Sequence, residues 1–478
     1  MAFDKTLLKT PGSDEWWVAR LSKSLSSRRP RIEELQAWLD GKPPAPWQLD
    51  TKAQDGYERL LSIASLNLAE LIVSSTLYRT QVETVRAGNS PTDEQTDAMN
   101  AALLETDANA HFRQAIEWML SLSVAYLLVR EDLDDTGNVV GRLSAEHPAE
   151  MVAEADPTDP AKNVAALKVY RDDTANRDVL VLYRDGYLRV AYKPGTSVIF
   201  KQAISLSGFE WSTEGESAQA PGRVDLSTPG VPVYTLQNRF GKGEFEKHIP
   251  HMQRINHIIL QQMIITAMQA FKQRAIKGVP NADPETGEAI DYSNIFTSDP
   301  GSLWMLPESA EIWESGTGDI NQLITSITKD VERLAIAAQA PLYALSSDAA
   351  QQSAASSELM REGQIFKAED LQKRLTPRFA AAVSHMLRFS GQEELADRRQ
   401  MRVVWAPARR SSLQERAQAG QLAIQSGLPV QTVAELFFEF SPAQIQQMEA
   451  YRASNALLDA GSGQSLLAGL NLDTASTE

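Results

Sequence analysis

The chain has 478 residues, with 46 Lys and Arg against 62 Asp and Glu, so its formal charge is −16. That length predicts two to four domains or one multi-lobed body, and a hydrophobic share of 43% is enough for a sizeable core. Cysteine is absent, which excludes a disulfide scaffold, a thiol nucleophile and a cysteine zinc site, while the acidic balance argues against tight non-specific gripping of nucleic acid.

The first residues lack an apolar core followed by a cleavage site, so no secretory signal is expected. The most apolar stretches, 60–77 and 255–271, are broken by Asn67 and Glu70 and by Gln261, Gln262 and Gln269, so no membrane-spanning helix is expected. Residues 1–60 mix proline, glycine and charge and read as short helical pieces. Periodicity predicts a helix over 60–78 and another over 107–125, the second with Phe112, Ile116, Met119 and Leu120 on one face. A strand is expected from Val124. Short strands follow at 139–143, 165–170, 179–183, 187–192 and 198–204, with Asp185-Gly186 as a tight hairpin turn. Residues 209–230 read as a loose surface excursion.

The second half reads as mainly helical. Pro250 suits the first turn of one long helix over 250–277, and Gly278 suits its end. Strands are expected at 301–306 and 311–314. Ile320, Leu323, Ile324, Ile327, Val331 and Leu334 form an apolar stripe on a helix over 319–339. A helix over 357–389 carries Ile365, Leu371, Leu375, Phe379, Ala382 and Met386 on one face, with a kink expected at Pro377. A strand over 401–405 and short helices at 411–427, 429–438 and 441–459 complete the chain, before a small-residue tail.

Little in the sequence points to catalysis. His248 and His251 share a helix-spaced pair, but only Glu244 or Glu246 offers a third metal ligand, so ordinary histidines are the expected reading. Asp132 to Gly137 begins like a calcium loop but has Leu143 where a bidentate Glu is required, and reads as a turn. Gly241-Lys242-Gly243 lacks the Gly-Lys-Ser/Thr ending of a phosphate loop and reads as the entry to a helix. No cofactor, metal or catalytic residue is assigned.

Several patterns stand in a telling order. They are RRPRIEELQAWLDGKPP over 28–44, NLAELIV over 67–73, GVPVYTLQN over 230–238, GSLWMLP over 301–307, APLY over 340–343 and SAASSE over 353–358. VVWAP over 403–407 and GLP over 427–429 follow them. From about residue 20 to 455 this order resembles the tailed-bacteriophage portal family, in particular the branch similar to a Bacillus siphophage portal and to actinobacterial phage portals. Trp38 stands where the family's first motif usually has Tyr.

The resemblance implies a mainly helical α+β fold. It divides the chain into an N-terminal helical arm (1–50), an α+β wing (51–245), a first stem helix (246–278), a clip (279–318) and a second stem helix (319–339). A tunnel loop (340–356), a long kinked wing helix (357–400), a helical crown (401–460) and a flexible tail (461–478) follow. It implies a dodecameric ring at one capsid vertex, through which double-stranded DNA passes non-specifically during packaging and ejection. The implied partners are the terminase large subunit, a head–tail adaptor, and the major capsid and scaffolding proteins, with no membrane. The location is the virion, reached by assembly in the host cytoplasm. Tunnel contacts fall on Tyr343, Ser346, Ser347, Asp348, Gln351, Gln352 and Ser353, stem packing on the stripe from Ile320 to Leu334, and the clip on Trp304 and Trp313. The alternatives are another phage head or adaptor protein, or a metal-dependent hydrolase or nuclease.

Overall fold

The computed structural model describes residues 3–44, 63–87, 93–134, 136–195, 204–213, 220–270, 274–277, 282, 286–287, 311–314, 320–340, 354–409, 413–438, 440, 445 and 447–452. Two compact units are present, Met1–Ala408 and Arg409–Glu478.

The first unit opens on α1 (Asp14–Leu39), where Ser13 caps the start by accepting a hydrogen bond from the Trp16 amide at 3.2 Å. This is one helix of 26 residues running through Pro30, where short pieces were expected. Two separate cores support it. Trp17, Val18, Leu21 and Leu25 pack on a β-sheet, while Ile32, Leu35 and Trp38 enter the main core. Packing along its length outweighs the backbone hydrogen bond that proline removes.

Helix α2 (Leu68–Leu77) is shorter than the expected 60–78, because Asn67 caps it and its carbonyl oxygen accepts from the Glu70 amide. The Asn67 amide also donates to the Leu39 carbonyl at 2.9 Å. Gly41, at φ +70°, comes so close that an added Cβ would lie 3.4 Å from Asn67 Nδ2. The glycine of the first sequence pattern and the asparagine of the second therefore form one joint.

After β1 (Val82–Ala87) come α3 (Asp93–Glu105) and α4 (Ala108–Leu122). Phe112, Ile116, Met119 and Leu120 of α4 are fully buried, as the periodicity requires. Strands β2 (Val124–Leu133) and β3 (Val139–Glu146) form a hairpin whose turn is organised by Asp134, which accepts from the Thr136 hydroxyl and the Asn138 amide. Those bonds hold its carboxyl at about 2. Strand β10 (Val233–Gln237) pairs with the other edge of β2.

The second sheet is antiparallel, in the order β4 (Met151–Ala155), β5 (Asn163–Asp172), β6 (Arg177–Arg184), β7 (Tyr187–Pro194) and β8 (Glu210–Trp211). The pairing of Arg184 with Tyr187 around Gly186 (φ +72°) is the expected two-residue hairpin. Strand β4 has no counterpart among the expected strands. The expected strand at 198–204 falls mostly outside the described residues, and Ile204 is not in a strand. The segment 209–230 is not a loose excursion in its described part. Phe209 and Trp211 are buried against α1 and the sheet, and β9 (Arg223–Asp225) pairs with β7.

Helix α5 (Ile249–Ala270) precedes β11 (Arg274–Lys277), which pairs antiparallel with β12 (Glu311–Glu314). The helix read over 250–277 thus stops at Ala270, and 274–277 take up a ladder whose partner lies 37 residues further on. Helix α6 (Ile320–Ala338) follows, then α7 (Ala354–Phe389), which stays one helix through Pro377. From Phe379 to Leu387 every residue of α7 is buried, so this stretch is threaded through the core. Strand β13 (Met401–Trp405) pairs antiparallel with β1. The Trp405 ring lies 5.5 Å from that of Phe379, and its Nε1 donates to the Thr376 hydroxyl at 2.9 Å.

In the second unit α8 (Leu413–Gln425) packs on α9 (Val430–Phe438). The described residues are about 50% helix and 22% strand, a mixed α+β fold.

Candidate functional site

The feature most relevant to assembly is the hairpin of α5 and α6, joined through the ladder of β11 with β12. Arg254 is the one Lys, Arg, Asp or Glu within α5. On its inner face Met252, Ile255, Asn256 and Leu260 are buried, and the Asn256 carbonyl oxygen accepts from the Leu66 amide at 3.1 Å. Arg254 reaches across to α6, donating Nε to Asp330 Oδ2 at 3.0 Å and Nη2 to Oδ1 at 2.9 Å. Arg333 donates to the same carboxylate at 3.3 Å. Asp330 is nearly buried while Arg254 is half exposed, so the acid depends on this pair more than the base does. The clamp and the β11–β12 register together run the two helices antiparallel.

The root of the hairpin is fixed by the turn that leads into α5. Asn238, buried, donates its amide to the Lys242 carbonyl at 2.9 Å and to Glu244 Oε1 at 3.0 Å, and accepts from the Arg239 amide at 2.8 Å. The Asn238 and Glu244 backbone amides donate to the Ser123 and Leu120 carbonyls at the end of α4. Gly243 is pressed so closely there that an added Cβ would stand 2.4 Å from the Ser121 carbonyl oxygen. Glu244 pairs with Lys367 of α7, and Arg31 of α1 makes a two-pronged pair with Glu246 at 2.6 and 2.9 Å. Gly241-Lys242-Gly243 is therefore a packed entry to a helix.

The apolar stripe of α6 divides in two. Val331, Leu334 and Ala338 enter the main core. Ile320, Leu323 and Ile327 are only partly covered, and Ile324 is 46% exposed. Ile264, on α5, is also exposed. Among the described residues, the N-terminal half of α6 and the C-terminal half of α5 thus carry apolar side chains that are exposed or only partly covered.

Of the other residues assigned a role by the resemblance, Trp313 sits in β12 opposite Ala275. Trp304 and the seven residues from Tyr343 to Ser353 lie outside the described residues. The His248 and His251 rings are 6.4 Å apart, and burial pushes His248 down to about 4. Among the described residues no group of three or more His, Asp or Glu side chains is gathered to hold a metal, and no helix is long and apolar enough to cross a membrane. Sequence reasoning missed the Arg254–Asp330 clamp and the network of the Asn238 turn. The clamp's signals in the sequence are that Arg254 is the one Lys, Arg, Asp or Glu of α5 and that Asp330 falls on the apolar stripe of α6.

Residues 19–456 match the family model described as phage portal protein, SPP1 Gp6-like. The chain belongs to the phage portal family. That family is structural, not enzymatic, and its role lies in packaging the bacteriophage genome. No curated protein matches the chain. In this portal chain the sequence patterns mark joints of the fold. Gly41 and Asn67 meet at the α1–α2 corner, Asn238 orders the entry to the hairpin, and Trp405 backs the long helix.

Proposed function

We propose that the portal chain forms a ring of twelve copies at one capsid vertex, the channel for DNA during packaging and ejection. The observation that carries this is the stripe of α6, buried at Val331 and Leu334, only partly covered at Ile320, Leu323 and Ile327, and exposed at Ile324. An antiparallel helix pair with exposed apolar side chains is suited to packing against an identical neighbour, and a heterologous contact whose rotation closes generates a ring. In this reading α5 and α6 are the stem. The chain between them, with Trp304 and Trp313, is the clip that meets the terminase large subunit and then the head–tail adaptor. The wing, 51–245 with the long helix of 357–400, faces the major capsid and scaffolding proteins, and 401–460 form the crown. Assembly takes place in the host cytoplasm.

The tunnel contacts are Tyr343, Ser346, Ser347, Asp348, Gln351, Gln352 and Ser353. Residues 343–356 hold no Lys or Arg and a single acid, Asp348. Twelve chains of −16 sum to roughly −190, so the ring's net charge repels DNA. Short uncharged side chains in such a field touch phosphates without holding them, which keeps sliding friction low. The terminase supplies the energy. Negative-stain imaging of the purified full-length chain over a range of salt concentrations is expected to show rings with a central hole. Compact monomers under every condition, with no ring in virions, would refute the reading.

A further inference from the structure

A cleft of about 750 Å³ lies between α7 and the wing sheet, walled by the loop between β4 and β5, the segment before β10, and the residue Arg398 beyond α7. In a chain of net charge −16 its lining holds six bases: Lys162, Arg184, Arg374, Arg378, Arg388 and Arg398. It holds three acids, and each is engaged. Asp156 folds back on Thr158, accepting from its amide and hydroxyl at 2.7 Å. Asp159 pairs with Lys162 at 3.3 Å, and Asp185 accepts from the Gly230 amide at 2.7 Å.

Of the bases, Arg374 pairs with Asp370 at 3.0 Å and Arg184 stands 4.0 Å from Asp14. Among the described residues, no carboxylate forms an ion pair with Arg378, Arg388 or Arg398. Arg378 donates to the Pro160 and Ala161 carbonyls and Arg398 to the Pro377 carbonyl, which orients them without neutralising them. Asp397, the acid that senses Arg388, is in contact with Arg399 at 3.3 Å. The cations also act on one another's surroundings. Burial lowers the pKa of Arg378, the charge of Asp159 opposes this, and Arg398 acts in the same direction as burial. Burial raises the Tyr234 hydroxyl to about 12, and the charges that oppose this are Arg398 and Arg388.

His385 completes the lining. It is 6% exposed, its Nδ1 lies 2.8 Å from the Tyr234 hydroxyl, and its Nε2 has no hydrogen-bond partner among the described residues. A concavity of this size, with apolar walls from Pro229, Val231 and Val233 and a few convergent polar groups, has the form of a small-ligand site. A DNA duplex is too broad to enter it. Three guanidinium groups around one cavity, none ion-paired to a carboxylate among the described residues, call for several negative charges in a small volume, and the guanidinium fork matches phosphate oxygens two at a time. A lone carboxylate would leave most of that charge uncompensated.

We propose that this cleft binds a small ligand carrying clustered phosphate groups, with Arg378, Arg388 and Arg398 as its donors. Bound there, the ligand ties α7 to the β4–β5 loop. The proposal is independent of ring formation and of the channel.

The probe is inorganic tripolyphosphate, titrated calorimetrically into the full-length chain at low salt. Arg388→Gln and Arg398→Gln alter exposed side chains, and a thermal melt of each verifies the fold. Saturable binding at one site per chain is expected, weakened about tenfold to a hundredfold by either substitution. Sulfate, a single divalent anion, is expected to bind at least about tenfold more weakly than tripolyphosphate. Three results overturn the proposal: no saturable binding at millimolar ligand, equal affinity in wild type and both variants, or displacement by hexaglutamate as effective as by tripolyphosphate. The last would make the cleft a site for acidic polypeptide.

Discussion

Two aspartate substitutions seven residues apart on α6 should have different consequences. Val331 and Ile324 lie two turns apart on one face. Val331 is 8% exposed and belongs to the main core, whereas Ile324 is 46% exposed. Val331→Asp forfeits about 1.5–3 kcal/mol of side-chain burial and places a carboxylate in the core at a cost of several kcal/mol more. The total is a large share of the roughly 5–15 kcal/mol that holds a domain together. Ile324→Asp costs the isolated chain under about 1 kcal/mol, because water already reaches the site. If a neighbouring copy covers Ile324, however, the same charge is buried twelve times in a ring, at several kcal/mol each. The expected result is a depressed melting temperature for Val331→Asp, and a near wild-type melt without rings for Ile324→Asp. Calorimetric melts read the first and light scattering with negative-stain imaging the second. Normal rings from Ile324→Asp would show that the stripe is not an intersubunit surface, and a wild-type melt for Val331→Asp would show that the core is misplaced.

Gly243→Ala forces a methyl group toward a carbonyl oxygen 2.4 Å away, so the turn must shift; a loss of about 1–3 kcal/mol, seen as a lower melting temperature, is expected. Burial holds His248 and His385 down to about 4, below the usual 6.5, so between those values the unfolded chain takes up more protons than the folded one. Stability should therefore be full above about pH 6.5 and fall as pH drops toward 4, and His385→Leu should make that fall shallower in melts taken across the range. Lys at Ser346, Ser347 and Gln351 adds three cations per chain, or roughly thirty-six per ring of twelve, each able to hold a phosphate. Rings should still form while packaging or ejection slows, most at low ionic strength; a wild-type rate in low salt would remove these residues from the channel.

Where one strong local signal decides the structure, it is readable from the sequence. Asp185-Gly186 makes a tight turn, the stripe of α6 makes a helix, and Leu371, Leu375, Phe379, Ala382 and Met386 are the buried face of α7. Expectation and structure part where a distant partner decides. Residues 274–277 continue a helical composition, yet become a strand because 311–314 offer a ladder. Strand β4 carries little β-branched signal in Met-Val-Ala-Glu-Ala, and is a strand because β5 pairs with it. Phe209 and Trp211 sit among polar residues that suggest a loop, but they close the core beside α1. The Arg254–Asp330 clamp joins two helices through residues 76 positions apart, a pairing that no local pattern encodes. The tunnel residues and Trp304 rest on the family resemblance and on local composition.

The pairing of β1 with β13 also sets a schedule for synthesis. Val82 and Trp405 are register partners, so β1 cannot complete its ladder until more than three hundred further residues have been made. At roughly 5–20 residues per second, that is a delay of about 16–64 s on the ribosome. Throughout it, Val85, a core residue of the finished body, awaits its opposite number Val403. An open strand edge with an apolar face is a template for wrong pairing between nascent chains. The late arrival of α7 and β13 makes closure of the body one of the last folding events, so a chain truncated before residue 401 should aggregate rather than persist as a smaller folded version of the protein.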